Sequence, residues 1–260
     1  MNQTAGGDRK GGGCPRGPKK MIDIHTHVIY GVDDGSRSLE MSQEMLRRSA
    51  EDGVTGICCT SHCIPGRRTF PAQDYLNRLE ELRRFLWAER IPLELYQGCE
   101  IMYSSEALSW AVGGLLPTLA ATDWVLMEFL PETDWITLTH GIREMTNAGF
   151  MVTMAHVERY LCLRDDMNRL AELRDLGALC QMNAATVIRA RGMMGDRWAR
   201  RVLKGGMIDV VASDMHNVNN RAPNMGEAWD VLKKLLGEKA AWQMMEETPR
   251  MIMQGKRVPV

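Results

Sequence analysis

The residues of this chain best suited to chemistry lie in short polar groups at the ends of apolar runs. His25-Thr26-His27 closes the run that begins Met21-Ile22-Asp23-Ile24, and Asp33-Asp34-Gly35 follows a few residues later. Positions i and i+2 of a strand share a face, so the two imidazoles are expected to project together from a strand end. Of six histidines, five (His25, His27, His62, His156 and His216) fall at or just after the end of a predicted strand. The sixth, His140, falls inside a predicted helix and reads as a surface or partly packed residue. Glu100, Glu128 and Asp214 also end strands, and Asp214-Met215-His216 repeats the one-residue spacing of the first pair. Taken singly, such a histidine is more often a hydrogen-bonded loop residue, and such a glutamate more often a solvated charge or a partner for arginine. Taken jointly, carboxylates gathered at one rim repel one another, and cations between them relieve that repulsion. Five histidines and four carboxylates suffice for more than one metal ion, with a carboxylate bridging.

The elements that must position these residues alternate in kind. Strands are predicted at Met21, Val54–Thr60, Leu93–Glu100, Thr122–Phe129, Gly149–His156, Ala178–Ala184 and Gly206–Asp214, each an apolar run. Amphipathic helices are predicted at Ser38–Asp52, Pro71–Arg90, Ser104–Ala111, Trp135–Ala148, Asp165–Leu176 and Ile188–Lys204, with one or two more after Ala222. This length allows one α/β barrel or two smaller domains. The alternation favours parallel β/α architecture, with seven strand candidates, one short of the eight-stranded barrel. In such folds chemistry is built where the strands end. Residues 1–20, rich in Gly, Pro and Lys with little to bury, read as a flexible leader.

Composition excludes several classes. A net charge of -1 and the lack of a basic stripe with interleaved aromatics leave no footprint for nucleic acid. No apolar run approaches the roughly 18 residues of a membrane span, so the chain does not read as an integral membrane protein. Seven cysteines without zinc-ribbon or secreted-framework spacing read as reduced thiols in the cytoplasm. None heads the run of Cys, five residues and Arg that cradles phosphate in cysteine phosphatases, so the thiols are assigned to packing. The pairs Gly113-Gly114 and Gly205-Gly206 lack Walker spacing and read as turns.

The pattern resembles the polymerase-and-histidinol-phosphatase (PHP) metallohydrolases, and within them the bacterial manganese-dependent protein-tyrosine phosphatases of capsule and exopolysaccharide synthesis. It is carried by Met21-Ile22-Asp23-Ile24-His25-Thr26-His27, Asp33-Asp34-Gly35, Thr60-Ser61-His62, Gly98-Cys99-Glu100, Glu128-Phe129, Ala155-His156-Val157-Glu158-Arg159-Tyr160 and Ser213-Asp214-Met215-His216. The resemblance implies a distorted seven-stranded (β/α)7 barrel, PHP-like, as a single catalytic unit over residues 21–260, and a site for three divalent ions. His25, His27, Glu100 and Asp214 would hold the first ion. Glu100 would bridge to a second on Glu128 and His156, and Asp33, His62 and His216 would hold the third. It further implies Arg159 and Arg221 at the phosphate, where a guanidinium offers a planar fork to two phosphoryl oxygens. Manganese is favoured, although imidazole and carboxylate also suit Fe, Zn, Co or Mg.

The implied reaction is attack of a metal-activated hydroxide on phosphotyrosine. The implied substrate is the tyrosine-rich tail of a bacterial kinase that regulates capsule or exopolysaccharide synthesis, with transient membrane association through that kinase left open. Two alternatives stand beside it: a small-molecule phosphoesterase such as histidinol phosphatase, and a metal-stabilised binding protein of the polysaccharide machinery. The oligomeric state is not legible. The chain departs from the pattern at Cys63, where a second histidine is usual, at Val157, where proline is usual, and in its leader.

Overall fold

The computed structural model describes residues 20–192 and 194–259. The leader expected over residues 1–20 therefore lies outside the described residues, save for Lys20. Seven parallel strands run in chain order across one sheet: β1 (Met21–Thr26), β2 (Val54–Cys63), β3 (Glu94–Met102), β4 (Trp124–Glu128), β5 (Met151–Met154), β6 (Ala178–Asn183) and β7 (Val210–Ala212). The chain beyond β7 returns to β1, where Asp214 N–H donates to the His25 carbonyl at 2.9 Å and His27 N–H to the Met215 carbonyl at 2.9 Å. These bonds nearly close the sheet into a barrel, as predicted.

The intervening helices are α1 (Leu39–Glu51), α2 (Ala72–Ala88), α3 (Ala107–Val112), α4 (Trp135–Asn147), α5 (Leu161–Asp165), α6 (Asn168–Asp175), α7 (Ala184–Arg189) and α8 (Arg197–Lys204), with α9 (Met225–Leu236), α10 (Glu238–Trp242) and α11 (Thr248–Met253) closing the chain. Local chemistry sets their starts. Ser38 accepts from Met41 N–H, Asp134 from Thr137 N–H and Asp196 from Ala199 N–H, each a side-chain cap on otherwise unpaired donors. The helix expected over Asp165–Leu176 is instead two, broken between Asp165 and Asn168, and the last strand is shorter than its apolar run.

Two apolar clusters hold the fold. The larger lies between the sheet and its helices, and the smaller fills the barrel with Ile24, Cys58, Leu119, Trp124, Leu126, Leu179, Val210, Ala212 and Ile252 among others. Period-2 alternation then dictates what comes next on the inner face. Counting on from Cys58, Leu126, Leu179 and Ala212 reaches His62, Glu128, Asn183 and Asp214, so the polar layer follows the apolar plug on the same face of the same strands.

Strand β1 does not obey that count. Ile24 belongs to the interior cluster, with Ile22 packed against it, while Met21 belongs to the outer one. Strict alternation would send His25 and His27 outward with Met21. A register irregularity between Asp23 and Thr26 breaks the alternation, and both histidines turn to the interior.

Candidate metal centre

Each polar strand end arrives by a different local device. His62 and Glu100 lie within β2 and β3 and are paired across the sheet, whereas His62 was expected just beyond its strand and Glu100 at the end of its own. Glu128 is the last residue of β4. His156 and Asp214 follow β5 and β7 in the left-handed region, at φ 32° and 54°. A non-glycine residue held there costs about 1–3 kcal/mol, a strain that clusters at functional sites, and here it aims both side chains at the barrel axis.

The donor atoms converge. His25 Nε2 and His27 Nε2 are 3.3 Å apart, each is 3.2 Å from Glu100 Oε2 and each is 3.5 Å from Asp214 Oδ1. Metal–ligand bonds of about 2.0–2.2 Å place tetrahedral neighbours about 3.4 Å apart, so His25, His27 and Glu100 have the spacing a divalent ion requires, with Asp214 beside both histidines. The other Glu100 oxygen, Oε1, lies 2.8 Å from His156 Nε2, which is 3.3 Å from Glu128 Oε1. His62 faces two ways, with Nδ1 3.1 Å from Glu100 Oε2 and Nε2 3.4 Å from Asp34 Oδ1. His216 Nε2 stands 3.5 Å from the same Asp34 oxygen.

Asp33 was expected beside His62 and His216, but the carboxylate that faces them is Asp34. Asp33 Oδ2 accepts from His27 Nδ1 at 2.8 Å and from the His62 backbone N–H at 2.9 Å, and its Oδ1 accepts from Gly35 N–H at 3.0 Å. Gly35 packs closely beneath this turn, where a Cβ would come within 2.3 Å of the His27 carbonyl oxygen. The Asp33-Asp34-Gly35 motif is visible in the sequence, but the bonds of Asp33 to His27, His62 and Gly35 that leave Asp34 facing the histidines are tertiary.

The supporting contacts fix imidazole tautomers. His27 Nδ1–H donates to the Asp33 carboxylate, and His216 Nδ1–H to the Asp214 carbonyl at 3.0 Å. His25 Nδ1 lies 3.1 Å from Gln181 Oε1, which also accepts the His156 backbone N–H at 2.8 Å. Each arrangement leaves Nε2 for the centre, the usual support of a metal-binding imidazole. Gln181 donates onward to Asn183, whose Nδ2 donates to Asp214 Oδ2 at 2.7 Å. Neither amide was predicted, although two amides alternating in an apolar strand were the available signal. Buried His216 Nε2 and Glu128 Oε2 have no hydrogen-bond partner among the described residues, which suits groups that await a cation.

Without a cation the charges compensate one another. Burial works against charge on His27, yet Asp33 and Glu100 raise its pKa to about 10, and Glu100 and Glu128 raise His156 to about 9 against the same penalty. Burial likewise opposes ionisation of Glu100, but His25, His156 and His27 hold its carboxyl well below the usual range. Burial and the neighbouring His27 push His216 down to about 3, so it offers a free lone pair.

At the rim, Arg159 Nη2 and Arg221 Nη2 both meet Asp214, Arg221 at 2.7 Å. Their side chains are 37% and 35% exposed, so both guanidiniums keep donors open to an incoming group. The Tyr160 hydroxyl of the same motif is structural: it donates to the Ala155 carbonyl and accepts from Phe129 N–H, tying together the ends of β4 and β5. His140 is exposed on α4, away from the centre, as predicted.

Residues 21–254 match the model of a family described as capsular polysaccharide synthesis, CpsB/CapC. The chain belongs to the CpsB/CapC family. It is 33% identical over 239 residues to the tyrosine-protein phosphatase CpsB of Streptococcus pneumoniae, covering 90% of this chain and 98% of that protein. Its fold matches a solved structure from work on YwqE of Bacillus subtilis and CpsB of Streptococcus pneumoniae, described as unique metal-dependent tyrosine phosphatases, with a TM-score of 0.84 and 27% identity over 92% of this chain and 96% of that one. The histidinol phosphate phosphatase of Lactococcus lactis shares the barrel at a TM-score of 0.54 and 14% identity, over 83% of this chain and 94% of that one, a likeness of fold alone. CpsB/CapC membership agrees with the resemblance read from the motifs, down to the tyrosine-phosphatase branch.

Proposed function

We propose that this chain is a metal-dependent protein-tyrosine phosphatase that acts in the cytoplasm on the phosphotyrosine-bearing tail of a bacterial kinase regulating capsule or exopolysaccharide synthesis. Residues 21–260 form its single catalytic unit. Three divalent ions, manganese in use, would be held by His25, His27, Glu100 and Asp214; by Glu100, Glu128 and His156; and by Asp34, His62 and His216. Asp33 orients His27 and the His62 backbone from beneath. The observation that carries this reading is Glu100, whose two oxygens face different histidine groups in the manner of a bridging carboxylate. Its support from kinship is the tyrosine-phosphatase name borne by CpsB of Streptococcus pneumoniae across nearly its whole length. No described helix is long and apolar enough to cross a membrane.

Bound divalent ions would supply a water of lowered pKa and neutralise charge on the phosphoryl oxygens. The chain's own residues do the rest. Arg159 and Arg221 grip the equatorial oxygens from the open rim and strengthen their hold as charge redistributes. Asp214, held by both guanidiniums and by Asn183, fixes the arginines relative to the cluster. The leaving phenolate has a pKa of about 10, so its departure makes little demand on a general acid.

The test is phosphate release by metal-stripped protein reconstituted with Mn, Mg, Zn, Co, Fe or nothing. Phosphotyrosine peptide, phosphoserine peptide and histidinol phosphate are compared, with His156→Ala as control. Metal-dependent release from the phosphotyrosine peptide, lost in the variant, is the expected result. Preference for histidinol phosphate would move the chain to the small-molecule branch, and metal binding without turnover of any substrate would leave a binding protein.

A further inference from the structure

Beside the proposed cluster lies a cavity of about 310 Å³ that shares Arg159, Arg221 and Asp214 with the proposed phosphate site and extends past them to Arg189. That volume is at the small end for ligand pockets and suits one side chain rather than a second macromolecular surface. Its walls include Arg159, Arg189, Arg221, Asn183, Asn220 and Asn224, with Asp214 as the wall shared with the cluster. Arg159 and Arg221 are engaged with Asp214, but Arg189 is different. It stands at the end of α7, exposed, and forms no ion pair among the described residues. One of its nitrogens, Nη2, donates to Thr186 Oγ1 at 2.7 Å, and that hydroxyl donates to buried Glu158 Oε1 at 2.8 Å. The guanidinium is therefore tethered at one corner while its other donors stay available to the cavity. On the same wall, the side-chain oxygen of Asn224 is buried without a hydrogen-bond partner among the described residues.

We infer that this cavity is a subsite for a second anionic group, carried by a residue next to the phosphotyrosine, and that Arg189 is the specificity-determining residue that recognises it. The inference rests on the tyrosine-phosphatase reading, since the first anion is the phosphoryl group at Arg159 and Arg221. A side-chain carboxylate and the phosphate of an adjacent phosphotyrosine share the chemistry that Arg189 recognises, a fork of N–H donors meeting paired anionic oxygens. Arg189 lines the same cavity as Arg159 and Arg221, so a peptide held there by its phosphotyrosine presents a neighbouring residue to Arg189.

The experiment compares phosphotyrosine peptides flanked on both sides by Glu, by phosphotyrosine, by Ala or by Lys, using metal-loaded wild type, Arg189→Ala and Arg189→Glu. Turnover is read as kcat and KM separately. Binding is read independently by fluorescence anisotropy on peptides carrying a non-hydrolysable phosphonate in place of the central phosphate. Wild type should favour Glu over Ala flanks by about tenfold, the order a partly exposed charge-assisted hydrogen bond gives, with the difference in KM and in binding rather than in kcat. Arg189→Ala should bring the Glu-to-Ala ratio to about one, and Arg189→Glu should invert it in favour of Lys. Which of the Glu and phosphotyrosine flanks gains more identifies the source of the anion. Wild type binding Glu- and Ala-flanked peptides equally, or a ratio unchanged in Arg189→Ala, would overturn the subsite. A binding preference without turnover would instead overturn the phosphatase reading and leave the subsite standing.

Discussion

The two ends of the barrel interior are built on the same strands and do opposite work. At one end Ile24, Cys58, Leu126, Leu179 and Ala212 pack into a plug; at the other His62, Glu128, Asn183 and Asp214 follow on the same inner face. Glu100 and Leu126 are paired neighbours across β3 and β4, so a buried charge and a buried aliphatic group sit side by side. The plug holds itself together by excluding water. The polar layer contributes little of that kind and is held by ion pairs that a cation is designed to replace. Stability and chemistry are thus separable along one strand, which the following variants exploit.

The largest effect should come from Glu100→Gln, which keeps the shape and removes the charge facing four histidines. Phosphotyrosine hydrolysis should fall by about 10³-fold or more, the order lost with a principal electrostatic stabiliser of the transition state. Its urea unfolding midpoint in the metal-free state should move far less than that of Leu126→Ala. The aliphatic variant opens a cavity in the plug and should lose about 2–5 kcal/mol in the same titration while still binding metal in wild-type ratio. If Leu126→Ala instead shed its metal while fully folded, the two ends would not be independent.

A finer division lies within the aspartate pair. Asp34→Asn should lower the number of bound ions per chain, counted by elemental analysis, whereas Asp33→Asn should keep the count and lower activity by about 10–100-fold, as loss of a supporting carboxylate does. Identical metal counts in the two variants would undo the assignment of Asp34.

The smallest effect is one of pH. In metal-free protein His27 keeps its proton to about 10 and His156 to about 9, both above the 6.5 of a free imidazole. Raised imidazole pKa values contribute stability that is full below about 6.5 and lost as pH climbs through 9 and 10. The metal-free protein should therefore weaken over that window while the loaded protein does not. Metal addition at neutral pH should also release protons, seen as a dependence of calorimetric heat on the buffer's ionisation enthalpy. Equal heats in phosphate and Tris would count against protonated histidines at the centre.

Much of this design was legible in the chain because strand-forming apolar runs and their terminal polar residues are local features. Seven strands, the alternation with helices and the gathering of five histidines at one rim needed only period counting and the rule that parallel β/α folds place polar residues where strands end. The motifs carried the family, which the matching of residues 21–254 bears out. What escaped was decided by packing across long sequence separations. Gln181 and Asn183 looked like ordinary strand residues until β6 lay beside β5 and β7, where they support His25, His156 and Asp214.

The amino-acid order alone determined that β1 would deliver two histidines and that an Asp-Asp-Gly turn would follow. Tertiary structure decided where they point. Simple alternation from Ile22 and Ile24 sends His25 and His27 away from the axis, and only the register irregularity against β2, with β7 closing on the other side, turns them inward. Likewise, nothing in Asp33-Asp34-Gly35 says which carboxylate meets the histidines. Asp33 is held beneath by donors from His27 and the His62 backbone, which come together only when β1 and β2 pair, and Asp34 is left facing His62 and His216.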